Sequence, residues 1–287
     1  MLKVCTTAQA LSRTIPYPLK HLIDYPRPRQ RTLSRPGKCM TIGIGFRCDD
    51  GVVLCADTQI TVPGILKHYQ SKLRFHVEQH GIIASCYSGY PSLSKVMNER
   101  LDAAFVAEKP KNINSVKQII EDALIVLKKK HPKEMKWQEF LYGISFYKQK
   151  ARLLHTEGSI IEDTDFAVIG IGNSSLIRYL VTSFRAIGTP RTTDFAMNFG
   201  VYSVSQAKNF IDGCGGKTEA AILKHDGELI DCSHGDDLAE REAKLQIFED
   251  EMSRLFQWAT GPQPSETEMS ILLGNMFSKI KRRRPRN

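Results

Sequence analysis

The chain has 287 residues and a formal net charge of +9, with 41% hydrophobic and 25% charged residues, a length and balance that suit one ordinary core with ragged ends. The positive surplus sits at the ends: residues 1–39 hold eight Lys/Arg against one Asp and residues 279–287 hold six Lys/Arg, so residues 40–278 carry −4. That partition argues against a nucleic-acid-binding fold with a basic structured face. No apolar run approaches the roughly 20 residues of a bilayer span, so a membrane is not an expected partner. Seven scattered cysteines without a Cys-x-x-Cys pair argue against a disulfide or zinc framework and for a reducing, cytoplasmic setting.

In chain order, residues 1–39 form a basic Arg/Pro-rich extension. Arg27-Pro28-Arg29-Gln30-Arg31 and Ser34-Arg35-Pro36-Gly37-Lys38 cannot build a core, and the segment lacks the apolar stretch of a secretory signal. It reads as a propeptide cleaved between Met40 and Thr41, a targeting presequence, or upstream sequence with the true start at Met40. The last is favoured, because a Met-Thr start normally loses its methionine and leaves Thr41 free. Thr41 to Asp57 then predicts a hairpin: two apolar strands flank Asp49-Asp50-Gly51, and Asp-Gly between such runs is a strong turn signal. The hairpin returns Asp57 to the side of Thr41. A threonine at a free chain start carries its own base, an α-amino group with a reference pKa near 8. Ser71-Lys72-Leu73 follows, and a lysine nearby lowers the pKa of its neighbours while an aspartate holds it charged and oriented.

The stretch Thr41 to Leu73 resembles the amino-terminal part of proteasome β subunits and of the bacterial HslV-like peptidase, members of the N-terminal nucleophile hydrolases. The residues that carry the resemblance are Thr41, Gly51-Val52-Val53, Ala56-Asp57-Thr58-Gln59-Ile60-Thr61 and Lys72-Leu73, with the lysine about one residue early. The resemblance implies a threonine peptidase in which Thr41 is the nucleophile, its amine the base, Lys72 the group that depresses the amine pKa and Asp57 the residue that orients Lys72. It also implies that the N–H of Gly89 helps to bind the oxyanion. Gly89 ends the apolar run from His80 and equally suits a helix-start turn that needs an unusual backbone angle. The implied partners are an unfolded polypeptide or peptide substrate, a homo-oligomeric ring and an ATPase unfoldase; no cofactor and no metal is implied.

Further on, apolar spacing predicts helices over 91–109 and 114–130, strands around 140–147, 151–155 and 166–171, helices over 174–184 and 192–210, and a last strand over 218–224. This order predicts an α+β protein, a four-layer α/β/β/α sandwich of the N-terminal nucleophile hydrolase type, over residues 40–278. A helix from Asp237 to Trp258 carries Leu238, Ala243, Leu245, Ile247, Phe248, Met252, Leu255 and Phe256, which suit either its own domain or a subunit contact. Residues 279–287 read as a basic disordered tail. His155 and His234 read as surface or core groups, since the eight histidines show no metal-site spacing.

Three positions depart from the family pattern. Ile171 stands where the family has a serine between glycines. Ile211 stands at an aspartate position, with Asp212 one residue off, and Cys214 at a serine position. These groups support the free amine, so a catalytically inactive structural subunit is the alternative expectation. An amidase with Cys39 as nucleophile is a third, at the wrong spacing to Asp57 by two residues.

Overall fold

The computed structural model describes residues 41–62, 66–78, 80–170, 191–234 and 237–260, with isolated positions between 177 and 182 and between 265 and 278. The Asp-Gly turn joins β1 (Ile42–Arg47) to β2 (Gly51–Asp57), closed by Cys48 N–H donating to the Gly51 carbonyl at 2.7 Å. Around this hairpin an antiparallel sheet forms in the order β10 (Phe166–Gly170), β1, β2, β11 (Thr218–Lys224), β12 (Leu229–Asp231). Gly51 permits the close approach of β11, because a Cβ there would lie 2.3 Å from the Leu223 carbonyl oxygen. A second antiparallel sheet runs β5 (Leu73–Glu78), β6 (Gly81–Ser88), β7 (Glu139–Phe146), β8 (Arg152–Glu157), β9 (Ile160–Asp163). A separate hairpin pairs β3 (Gln59–Val62) with β4 (Leu66–Tyr69).

Side-chain alternation explains how both sheets are buried. On β2, Val52, Leu54 and Ala56 pack against Leu73, Ala84, Leu141 and Leu153 of the second sheet. Val53 and Cys55 pack the other way, onto Met197, Val201 and Val204 of α3 (Thr193–Phe210). The far face of the second sheet carries α1 (Pro91–Glu108) and α2 (Ile113–Lys130), with Met97, Leu101, Phe105, Leu124 and Leu127 on Ile83, Phe140, Tyr142 and Ile144. Each such fully buried side chain stabilises the fold by about 1.5–3 kcal/mol relative to exposure. Pro91 opens α1 at a position where its missing N–H costs nothing. Asn112 caps α2 by accepting from Ser115 N–H at 2.9 Å. Leu238 of α4 (Asp237–Thr260) joins the α3 core. Among the described residues no helix is long and apolar enough to cross a membrane.

The second hairpin residue, Asp50, ties this end of the sheet to α3. Its carboxylate accepts from Thr193 N–H at 2.8 Å, Thr193 Oγ1 at 2.7 Å and Lys224 Nζ at 2.7 Å. Partial burial pushes its pKa up, but the bonds from Lys224 and Thr193 outweigh that and hold it at about 2. A carboxylate depressed in the folded state contributes stability that is present above its ordinary pKa near 4 and lost as pH falls through about 2. The Asp50→Asn variant is therefore expected to be less stable than the parent at neutral pH, with the gap closing toward pH 2 in a denaturation series.

The structure differs from the sequence expectations in five strands. The sequence reading contained no β3–β4 hairpin, β5 or β9, and β12 follows the strand expected to be the last. β5 hides because it buries Leu73 and His76 while exposing Val77, an inverted pattern. Of the expected helix over 174–184, Ile177, Tyr179, Leu180 and Thr182 are described and are helical, with Ile177 buried in the α3 core. The rest of it, Ile171, the flanking segments 1–39 and 279–287, and the side chains of Met252, Leu255 and Phe256 lie outside the described residues.

Candidate functional site

Thr41 directly precedes β1 and Asp57 ends β2. The hairpin register pairs Gly43 with Ala56, which sets Asp57 beside the start of β1. Thr41 Oγ1 donates to Asp57 Oδ1 at 2.7 Å, and Ile42 N–H donates to the same oxygen at 3.0 Å. Lys72 arrives from the other sheet, immediately before β5. Its Nζ donates to Thr41 Oγ1, to Asp57 Oδ1 at 2.5 Å and to the Gln59 carbonyl at 2.5 Å. Asp57 and Lys72 are 0% and 2% exposed, which makes the completeness of this bonding decisive. A buried ammonium has three protons to place, and here each has an acceptor. The second Asp57 oxygen accepts from Gly215 N–H at 2.9 Å. The one-residue shortening before the lysine does not keep it from the threonine.

The structure thus brings Thr41, Asp57 and Lys72 into direct contact. The chemical effect is a hydroxyl oriented by a carboxylate and polarised by an ammonium. Gly89 enters through its surroundings. It follows β6 with φ +116°, a conformation suited to glycine, and a Cβ there would lie 2.6 Å from Gln138 Oε1 and 2.7 Å from the Trp137 carbonyl. The preceding residue, Ser88, and Thr41 both border Gly170: a Cβ at Gly170 would lie 2.4 Å from the Thr41 carbonyl and 2.7 Å from Ser88 Oγ. Gly170 N–H in turn donates to Glu139 Oε2 at 2.7 Å.

Sequence reasoning missed the groups that hold this arrangement in place. Glu219 on β11 accepts from Lys72 N–H at 2.9 Å, and Ser71 and Leu73 bond to the same carboxyl. Burial pushes the Glu219 carboxyl up, opposed by those bonds and by the Lys72 charge. Its one visible signal is an acid inside the apolar run Thr218 to Leu223. Glu219→Ala removes the acceptor for the backbone at Lys72. The expected result is a large loss of any Thr41-dependent hydrolysis, with partial retention in Glu219→Gln, which keeps one acceptor oxygen; initial rates on a fluorogenic peptide check it.

Two thiols flank the ion pair. Cys86 and Cys214 are both pushed up to about 12, chiefly by burial; for Cys214 the Asp57 charge adds to this and Lys72 opposes it. Both are held as neutral thiols. Beside the site, Thr58, Tyr69, Gln70, Ser71, Gly216 and Lys217 line an open cavity of about 380 Å³. Among the described residues no group of three His, Cys, Asp or Glu is placed to hold a metal ion.

No protein-family model and no curated protein matches the chain. Solved structures do match. Anbu from Yersinia bercovieri, described as an ancestral β-subunit, aligns at TM-score 0.64 and 11% identity over 79% of this chain and 100% of its own. A Gly-1 mutant of Anbu from Hyphomicrobium sp. strain MC1 aligns at TM-score 0.64 and 13% identity over 77% of this chain and 100% of its own. Anbu from Pseudomonas aeruginosa, described as a helical assembly, aligns at TM-score 0.58 and 11% identity over 79% and 99%. The chain therefore has an α+β fold of the Anbu β-subunit kind, consistent with the N-terminal-nucleophile type of fold expected from its first strands. At these identities the likeness concerns the fold alone.

Proposed function

We propose that the chain is a threonine-type endopeptidase of a proteasome-like, self-compartmentalised assembly, built as a four-layer α/β/β/α sandwich over residues 40–278. The observation that carries this reading is the direct bonding of Thr41 Oγ1 to both Lys72 and Asp57 in a buried cluster. In this reading residues 1–40 are absent from the working form and Thr41 begins the chain. Thr41 Oγ1 attacks the peptide carbonyl carbon and passes its proton to the Thr41 amine, which the Lys72 charge keeps unprotonated near neutrality. The oxyanion forms against Gly89 N–H. Collapse breaks the C–N bond, the leaving nitrogen takes the proton from the amine, and water then hydrolyses the Thr41 ester by the same steps.

A multisubunit enclosure suits an enzyme that would otherwise cut folded neighbours. The description of one Anbu complex as a helical assembly supports association of copies of this chain, in a closed ring or an open helical turn. The remaining expectations, an ATPase unfoldase as partner and a cytoplasmic location, belong to the same proposal. Free thiols at Cys48, Cys55, Cys86, Cys214 and Cys232 are compatible with that location.

The test couples intact mass of the natively expressed protein to peptide hydrolysis. A chain beginning at Thr41 that cleaves unstructured peptides supports the proposal; a chain that retains Met40 and cleaves none overturns it. A second reading, a silent structural subunit, is favoured by Ile211 and by Cys214, whose neutral thiol stands at a serine position. A chain that begins at Thr41, assembles and cleaves nothing would establish it.

A further inference from the structure

Residues 128–136, at the end of α2 and just beyond it, hold five lysines and one glutamate, +4 within a domain whose residues 40–278 sum to −4. The rest of that domain is therefore strongly acidic, and this segment is the exception. Lys128, Lys129 and Lys130 have a reason in the fold: they close α2, where cations complement the helix dipole, and Lys128 Nζ bonds Ser159 Oγ at 3.0 Å. Lys133 and Lys136 lie past the helix, at and within the short 3₁₀ turn Glu134–Trp137. Both are exposed, and among the described residues neither forms an ion pair.

This basic turn is fixed to the candidate site. Buried Met135 anchors it. The Trp137 carbonyl and Gln138 side chain pack directly on Gly89, Tyr90 N–H donates to Gln138 Oε1 at 2.8 Å, and Glu139 pairs with Ser88 across β6 and β7. Lys136 stands one residue from the carbonyl that touches Gly89. Across the site, Lys217 lines the cavity beside Ser71 and Thr58, and Lys67 is exposed on β4. Of the nearby acids, Glu139 accepts from Gly170 N–H and Glu219 is buried against Lys72, while Glu134 within the turn is outnumbered by Lys133 and Lys136, and exposed Glu157 lies opposite Glu139 on β8. Trp137, 43% exposed, adds apolar surface to the same turn.

We propose that this rim docks acidic segments of polypeptide, so that the site takes chains rich in Asp and Glu in preference to neutral or basic ones. The proposal rests on the peptidase reading above and names its substrate class. An extended chain advances about 3.3 Å per residue. Side chains two to four residues from a carbonyl seated at Gly89 lie about 7–13 Å along the chain, comparable with the Debye length of about 10 Å at 0.1 M salt, so charges on the turn that packs against Gly89 act on them. Steering by such a patch speeds capture and weakens steeply with ionic strength.

The experiment uses the form that begins at Thr41 and three fluorogenic peptides with one cleavable core, flanked by Glu, Gln or Lys triplets. The expected kcat/KM order is Glu, Gln, Lys, spanning about tenfold or more at low salt and collapsing at about 0.5 M. The paired charge reversal Lys133→Glu with Lys136→Glu is expected to invert the order. Equal rates on all three peptides, or a preference indifferent to salt and to the reversal, overturn the proposal while leaving the peptidase reading intact. Binding of a labelled oligoglutamate-flanked peptide to the Thr41→Ala form, followed by anisotropy, reads docking without turnover. Salt-sensitive binding that the reversal removes supports the docking surface even if no peptide is cleaved, which would overturn only the peptidase reading.

Discussion

Thr41→Ala is expected to abolish peptide hydrolysis, by about 10³-fold or more, in a chain that begins at residue 41, while leaving its assembly unchanged. The hydroxyl is the atom that both Lys72 and Asp57 address, so its removal deletes the nucleophile itself. Little else is lost. Asp57 keeps Lys72, Ile42 N–H and Gly215 N–H, and Lys72 keeps Asp57 and the Gln59 carbonyl, so no buried charge is stranded. Initial rates on a fluorogenic peptide, with sedimentation of both proteins, check the two halves of the expectation. Unchanged rates in Thr41→Ala would reject a threonine mechanism.

Lys72→Ala is expected to have the second-largest effect, and on two quantities at once. Asp57 is fully buried and would lose its only described cation, a change that costs about 3–5 kcal/mol when one partner of a buried pair is removed. Activity should fall further than stability, because in the proposed mechanism the charge that keeps the Thr41 amine unprotonated is lost as well. Asp57→Asn on top of Lys72→Ala separates the effects. Removing the stranded carboxylate is expected to restore part of the stability and none of the activity. Urea titrations give the first and peptide assays the second. A fully active Lys72→Ala protein would reduce the lysine to a structural counter-charge.

The parts of this fold that were legible in the sequence are those encoded locally. Thr41 and Asp57 are 16 residues apart across one Asp-Gly turn, so alternation and turn chemistry alone bring them together. α1, α2 and α3 declare themselves by apolar spacing. Lys72 was reached through family resemblance, since nothing local shows that the chain crosses from one sheet to the other between β2 and β5. Gly215 N–H and the Gln59 carbonyl are backbone groups, identical in kind at every residue, and Gly215 is 158 positions from the carboxylate it serves. Glu219 is 147 positions from Lys72 and resembles an ordinary strand charge until β11 is placed beside β2. β5 was missed because His76 is buried, bonded to Asp102 at 2.6 Å, while Val77 is exposed. There tertiary packing overrides the pattern on which strand recognition depends.

The division of the cluster between two sheets makes it an interlock. Thr41 and Asp57 belong to the hairpin of one sheet, and Lys72 to the leading edge of the other, so no single sheet carries the whole set. A newly made chain with only its first hairpin formed holds a threonine and a carboxylate but no ammonium to complete them. The reactive arrangement comes into being when the two layers dock and disappears when they part. Under the peptidase reading, any stress that separates the layers takes the ammonium from the threonine before it unfolds the molecule, and a partly folded copy cannot cut the polypeptides around it.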